Sequence, residues 1–161
     1  MTGSAPRTDR QTAVASVSDR TLRALHGYQI KRAFNVIQSD LNRTLKPFDL
    51  RMITYTALVL IVDNPGLRQS HLAEAMDIER PNLVVIVDEL ERRDLITRDR
   101  LASDRRAYAL KATPEGLELC EQAVAAVRLH EDQLLEGISP DALTKAMKVM
   151  QLIEANGRRT D

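Results

Sequence analysis

With 161 residues the chain is long enough for one domain with a sizeable core, or for a small module plus oligomerisation helices. Three Tyr, two Phe and no Trp leave aliphatic side chains to fill that core, and a single cysteine, Cys120, excludes an intramolecular disulfide and a cysteine-rich zinc cluster. Lys and Arg balance Asp and Glu at 23 each, so the basic excess usual in nucleic-acid binders is missing overall and can only be local.

Residues 1–18 are small and polar without periodic apolar positions, and read as a mobile N-terminal tail. From Asp19 the apolar positions Leu22, Leu25, Ile30, Phe34, Ile37, Leu41 and Leu45 recur at helical spacing. They predict one long amphipathic helix ending near Lys46-Pro47, because proline disfavours helix in the residue before it. A second helix is predicted over Leu50 to Val62, stopped by Asn64-Pro65-Gly66. A short helix follows with Leu72, Ala73 and Met76, then a turn at Asp77-Ile78. The next helix opens at Glu79-Arg80-Pro81-Asn82 and runs through Leu83, Ile86, Val87 and Leu90 to Arg92-Arg93. Residues 96–101 and 108–113 read as a two-stranded ribbon around a turn at 102–107. Thr113 is the expected N-cap of a helix with Pro114 in its first turn, reaching about Glu136. Ser139-Pro140 opens a last helix carrying Leu143, Met147, Met150 and Ile153, which frays at Asn156-Gly157 before a tail at 157–161.

That order is a winged helix-turn-helix, a module that lays one helix in the DNA major groove and reaches the neighbouring groove with its ribbon. The expected fold is mainly α with a small β-ribbon. A DNA-binding module at 50–113 is flanked by dimerisation helices at 19–49 and 114–156. Those flanking helices are amphipathic and too few for a closed bundle, so a homodimer is expected; a monomer with the helices folded over the module is the alternative. Two recognition helices would then meet half-sites roughly 34–36 Å apart on a palindromic operator. No apolar run is long enough to span a membrane and no apolar signal segment opens the chain, so a cytoplasmic protein with no membrane partner is expected.

In the proposed reading helix, Arg80 and Asn82 can contact phosphate or purine edges. Val84 and Val85 fall opposite the buried stripe; one of the two, not both, is expected to contact thymine methyl groups, the other reading being that one joins the core. Glu79 either caps the helix or accepts from a cytosine amino group. Between Arg92 and Arg106 stand six arginines against three aspartates. At the ribbon tip, Asp104 and Arg106 can pair across the turn and leave Arg105 pointing outward, as suits a narrow minor groove; a solvated charged loop is the alternative. Arg98 and Arg100, like Arg92 and Arg93, are expected on phosphate or in structural ion pairs.

No nucleophile elbow, phosphate loop or paired-histidine motif is present, and His26, His71 and His130 sit on three different elements. Neither catalysis nor a metal or other cofactor is expected. Cys120 lies on an apolar stripe, where a buried inert thiol is the commoner case and a thiol-responsive regulator the alternative. A winged helix used for protein contact is the remaining alternative, favoured by the neutral charge and opposed by the arginines of the ribbon.

The ordered set Leu72-Ala73, Ile78 to Pro81, Asp88 with Leu90-Glu91, Leu95-Ile96 with Arg98, Asp104-Arg105-Arg106 and Thr113-Pro114-Glu115-Gly116 resembles the MarR family of bacterial transcriptional regulators. The resemblance implies a dimer shaped by the first and last helices, with the module on a palindromic operator, usually as a repressor. It implies a small effector, often aromatic, bound near the junction of dimer helices and module and releasing the DNA. Polar groups for that effector are then His26, Tyr28, Lys31, Arg32, Arg51, Tyr55 and His130, each with a solvated helix face as its alternative. Gly27 to Gln38 and Pro47 to Arg51 are similar to regulators of hydroxycinnamate breakdown, whose effectors are aromatic acyl-CoA thioesters. The chain departs from the family pattern at Asp77 and Asp94, where Gly is common, and Asp tolerates the left-handed conformation better than most residues. It departs again at Glu79, where Ser is common, at Val84 and Val85, where polar or basic residues are, and at Ala112, where Leu is. The valines imply an operator unlike the family's usual ones.

Overall fold

A computed structural model of the chain describes residues 17–101 and 104–159, with side chains at 17–100 and 108–159. The expected N-terminal tail lies almost wholly outside the described residues. The chain divides into two compact units, residues 1–36 and 37–161.

In the first unit, two helices stand where the periodicity predicted one: α1 (Arg20–Arg23) and the start of α2 (His26–Leu45). Asp19 explains the break. Its carboxylate accepts from Arg23 Nε at 2.8 Å, Tyr28 Oη at 2.9 Å and Arg32 Nη1 at 3.4 Å, which gathers groups from both helices onto one anion. The carbonyl of Arg23, freed by the break, accepts from Gln29 Nε2 at 2.8 Å. The Arg23 bond, then the Tyr28 bond, hold the Asp19 carboxyl below its ordinary range. Leu22, Leu25, Ile30, Phe34 and Val36 stay exposed.

In the second unit, α2 ends in a 3-10 turn at Lys46–Phe48, closed by Asp49 in the left-handed region at φ 51°. Helix α3 (Met52–Asp63) follows. Its unsatisfied first amides find Asn42 Oδ1, 2.8 Å from Met52 N, and the buried Thr54 hydroxyl, 2.9 Å from Arg51 N. Then come β1 (Leu67–Arg68), α4 (Gln69–Ala75), α5 (Arg80–Arg92), β2 (Ile96–Leu101), β3 (Asp104–Ala112), α6 (Pro114–Leu134) and α7 (Pro140–Gly157). The sheet is antiparallel in the order β1-β3-β2, with Leu67 opposite Leu110 and Ile96 opposite Ala112. The ribbon thus has a third strand that the sequence reading left out; two residues are too few to show alternation.

Leu45, Leu58, Ile61, Leu72, Leu83, Val87, Leu90, Ile96 and Leu110 close one aliphatic core shared by α3, α4, α5, the sheet and the end of α2. Full burial of each such side chain stabilises the fold by about 1.5–3 kcal/mol against exposure. Asp77 at φ 51° and Asp94 at φ 54° carry the left-handed turns where glycine is common, as expected. Thr113 caps α6 as expected, its hydroxyl accepting from Gly116 N at 3.0 Å and donating to the Asp94 carbonyl at 2.5 Å. Helix α7 has no buried residue, and Met147, Val149, Met150, Leu152 and Ile153 are all exposed on it.

Candidate nucleic-acid interface

Helix α5 is the exposed helix of the helix-turn-helix. Leu83, Ile86, Val87 and Leu90 bury one face, and Arg80, Pro81 and Asn82 stand exposed in its first turn. Glu79 occupies the N-cap position in an extended conformation, but its side chain makes no cap bond, so that expected role falls. Val84 is 45% exposed and Val85 65%, so neither joins the core. The buried stripe already fills its whole arc of the helix without them.

The arginines separate into two groups. Arg98 pairs through Nη2 with Asp88 and through Nε with Glu91 at 3.1 Å, and its side chain keeps only 19% exposure. Of the two roles expected for it, the structure shows the ion pair. Arg93 is likewise structural, donating from Nη1 to the Asp49 carbonyl at 2.6 Å and from Nη2 to the Phe48 carbonyl at 2.9 Å. Arg92 and Arg100 are exposed and available to a phosphate backbone. Asp104, Arg105 and Arg106 belong to β3 by backbone, while their side chains, and so the expected Asp104–Arg106 pair, lie outside the described residues.

The residues implied as effector contacts are distributed over both units. In the first, Tyr28 and Arg32 are held on Asp19, with the Arg32 guanidinium 5.8 Å from the centre of the Tyr28 ring, while His26 and Lys31 are exposed. In the second, Arg51 pairs with Glu89. Tyr55 on α3 is half-buried, and burial raises its phenol above the ordinary range, with the nearby Cys120 adding and Arg128 opposing. His130 on α6 keeps a buried Nε2 with no hydrogen-bond partner among the described residues.

A groove of about 400 Å³ lies between α3 and α6, walled by Val59, Val62, Cys120 and Val124, with Asp63 and Arg128 supplying charge. The sequence reading missed these walls. The signal was there: Val59 and Val62 share a face of α3 with Tyr55 at i+4 and i+7, and Cys120, Val124 and Arg128 recur at i+4 on α6. Cys120 is 4% exposed, and burial, then Asp63, raises its thiol above the ordinary range, the opposite of a thiolate activated for oxidation. Among the described residues no cluster of His, Cys, Asp or Glu could hold a metal ion, and no helix is long and apolar enough to cross a membrane.

Residues 50–108 match the profile of the MarR family. Over 87% of this chain and 99% of the other, the structure is similar at TM-score 0.82 and 32% identity to the transcriptional repressor CouR bound to a 23-mer DNA duplex. The chain belongs to the MarR family. Among other MarR-like relatives, CouR from Rhodococcus jostii RHA1 bound to p-coumaroyl-CoA aligns over 83% of this chain and 94% of its own, at TM-score 0.75 and 29% identity. A Thauera aromatica protein assigned to regulation of the hcr operon is 44% identical over 79 residues, 49% of this chain and 47% of that protein. The chain thus spans about half the length of that curated relative.

Proposed function

We propose that this transcriptional regulator is a homodimeric repressor that holds a palindromic operator through residues 50–113 and releases it when an aromatic ligand binds. The observation that carries the reading is α5: one face packed into the core, the other exposed with Arg80 and Asn82 in its first turn, in a module similar to a repressor whose structure holds a DNA duplex. Arg80 and Asn82 would meet base edges or phosphates, Arg100 and the ribbon residues Asp104 to Arg106 the backbone and minor groove.

The DNA reading is tested by binding to duplexes from the promoter region of the protein's own gene across a salt series. Each phosphate neutralised contributes a slope of about −0.9 in log K against log salt. Arg80→Ala is expected to weaken binding roughly 5- to 150-fold, and Arg105→Ala to lower the salt slope. Wild-type protein that shifts no such duplex even at low salt would overturn the reading.

For the effector we infer an aromatic acid or aromatic acyl-CoA thioester held along the α3–α6 groove, close to Tyr55. Apolar walls, a volume suited to an aromatic ring, and Arg128 as a partner for a carboxylate or phosphate support this. So does the likeness to a repressor bound to p-coumaroyl-CoA. A thermal-shift comparison of p-coumarate with p-coumaroyl-CoA tests it. An effector at about 100 times its Kd stabilises the fold by roughly 2.7 kcal/mol and is expected to release bound DNA; if neither compound shifts the Tm nor releases DNA, the assignment is wrong.

A further inference from the structure

At about 100° per residue, the outward face of α5 can be read in order around the helix as Arg80, Val84, Pro81, Val85 and Asn82. The two hydrogen-bonding side chains stand at its margins. Over the first two turns its centre is a small apolar strip with no side-chain donor or acceptor, in which Val84 and Val85 retain 45% and 65% of their surface; the exposed Asp88 and Arg92 follow on the same face in the later turns. One turn further on, Asp88 is occupied by its pair with Arg98. In the major groove every base presents polar groups, and the one apolar group among them is the C5-methyl of thymine.

We propose that Val84 and Val85 are specificity residues that read the C5-methyl groups of thymines at the centre of each operator half-site, with Arg80 and Asn82 contacting the flanking pairs. The inference rests on α5 being the DNA-reading helix. A second copy of the chain is a poorer occupant for the strip. A stable protein interface needs about 800 Å² per partner, far more than three small side chains offer, and longer apolar faces lie elsewhere on α2 and α7.

The test uses an operator selected from random duplexes and the full-length dimer. Each thymine of a half-site is replaced singly by deoxyuridine, which removes the methyl and keeps the base pairing. At one or two positions per half-site the affinity of wild-type protein is expected to fall about three- to tenfold. Val84→Ala and Val85→Ala, both exposed and so neutral for folding by circular dichroism, are expected to bind more weakly and to lose the deoxyuridine penalty at the matching position. If binding is salt-dependent and operator-specific but no deoxyuridine changes it by more than twofold, this inference fails and the DNA reading stands. If no selected duplex is bound at low salt, both fail. If the valine variants alter self-association and leave DNA affinity unchanged, the strip is a protein contact and the inference is overturned.

Discussion

A Cβ built at residue 116 would stand 1.9 Å from the carbonyl oxygen of Leu95 and 2.8 Å from its carbonyl carbon. Those are backbone atoms, and the same carbonyl accepts from Thr113 N at 3.0 Å, so it has no freedom to retreat. The first turn of α6 is therefore pressed onto the start of the ribbon, and only the absence of a side chain permits it. Gly116→Ala is expected to cost about 1–3 kcal/mol as local overpacking, a fall in Tm of roughly 2–10 °C for a chain of this size. Gly27→Ala is the control: nothing lies within 4 Å of its Cβ, so its Tm should hold or rise slightly. Equal melting of the two variants would show that α6 does not approach Leu95 this closely. The Thr113-Pro114-Glu115-Gly116 motif was legible as a helix start. That its glycine serves a close approach was not, because nothing local distinguishes that use from a loose turn.

Helix α5 is fastened to the junction between α2 and α3 at two points one turn apart, Glu89 to Arg51 and Arg93 to the carbonyls of Phe48 and Asp49. The left-handed Asp49 turns those carbonyls toward the fork of the guanidinium. Arg93→Ala leaves two carbonyls to weakly placed water and is expected to cost about 1–2 kcal/mol. Arg93→Lys should recover only part of that, since a point donor cannot span two acceptors as the planar fork does. Chemical denaturation decides it: a Lys variant as stable as wild type would show that charge alone, not the fork, holds the junction. Of the helices around this tether, α5 was legible from its apolar stripe of Leu83, Ile86, Val87 and Leu90 with Pro81 in its first turn, and α3 from an apolar run stopped by Asn64-Pro65-Gly66. The tether itself was not, because it joins residues 44 and 45 positions apart, beyond any local pattern. The same limit hid β1, and it left Arg98 undecided between phosphate and ion pair until Asp88 and Glu91 stood beside it. Of α5, the exposed face was legible from the buried stripe. That both valines lie on it became plain only once the stripe was seen to fill its arc alone.

In the first unit Leu22, Leu25, Ile30, Phe34 and Val36 are exposed, and in the second so are Met147, Val149, Met150, Leu152 and Ile153 on α7. Exposed apolar side chains gathered in this way are the surface that the proposed dimer would cover. Burial at about 25 cal/mol per Å² would stabilise any arrangement that covers it, and two-fold symmetry lets one patch serve both partners. A dimer held this way makes a distinctive prediction for the double variant Met150→Glu/Ile153→Glu, two positions that share one face of α7 at i,i+3. Both side chains are about half exposed in the single chain, at 50% and 48%, so the substitutions should leave the core of 37–161 folded and its circular dichroism unchanged. In a dimer across α7 they would bring four added carboxylates together in an apolar seam, where unpaired charge is costly. Sedimentation equilibrium at micromolar protein is then expected to show wild type as a dimer and the variant as a folded monomer. The monomer should hold palindromic DNA far more weakly than the dimer, because each half-site is then bound without the effective concentration that linkage supplies. A variant that stays dimeric would put the interface elsewhere, and a wild-type monomer would leave the palindrome without a physical basis.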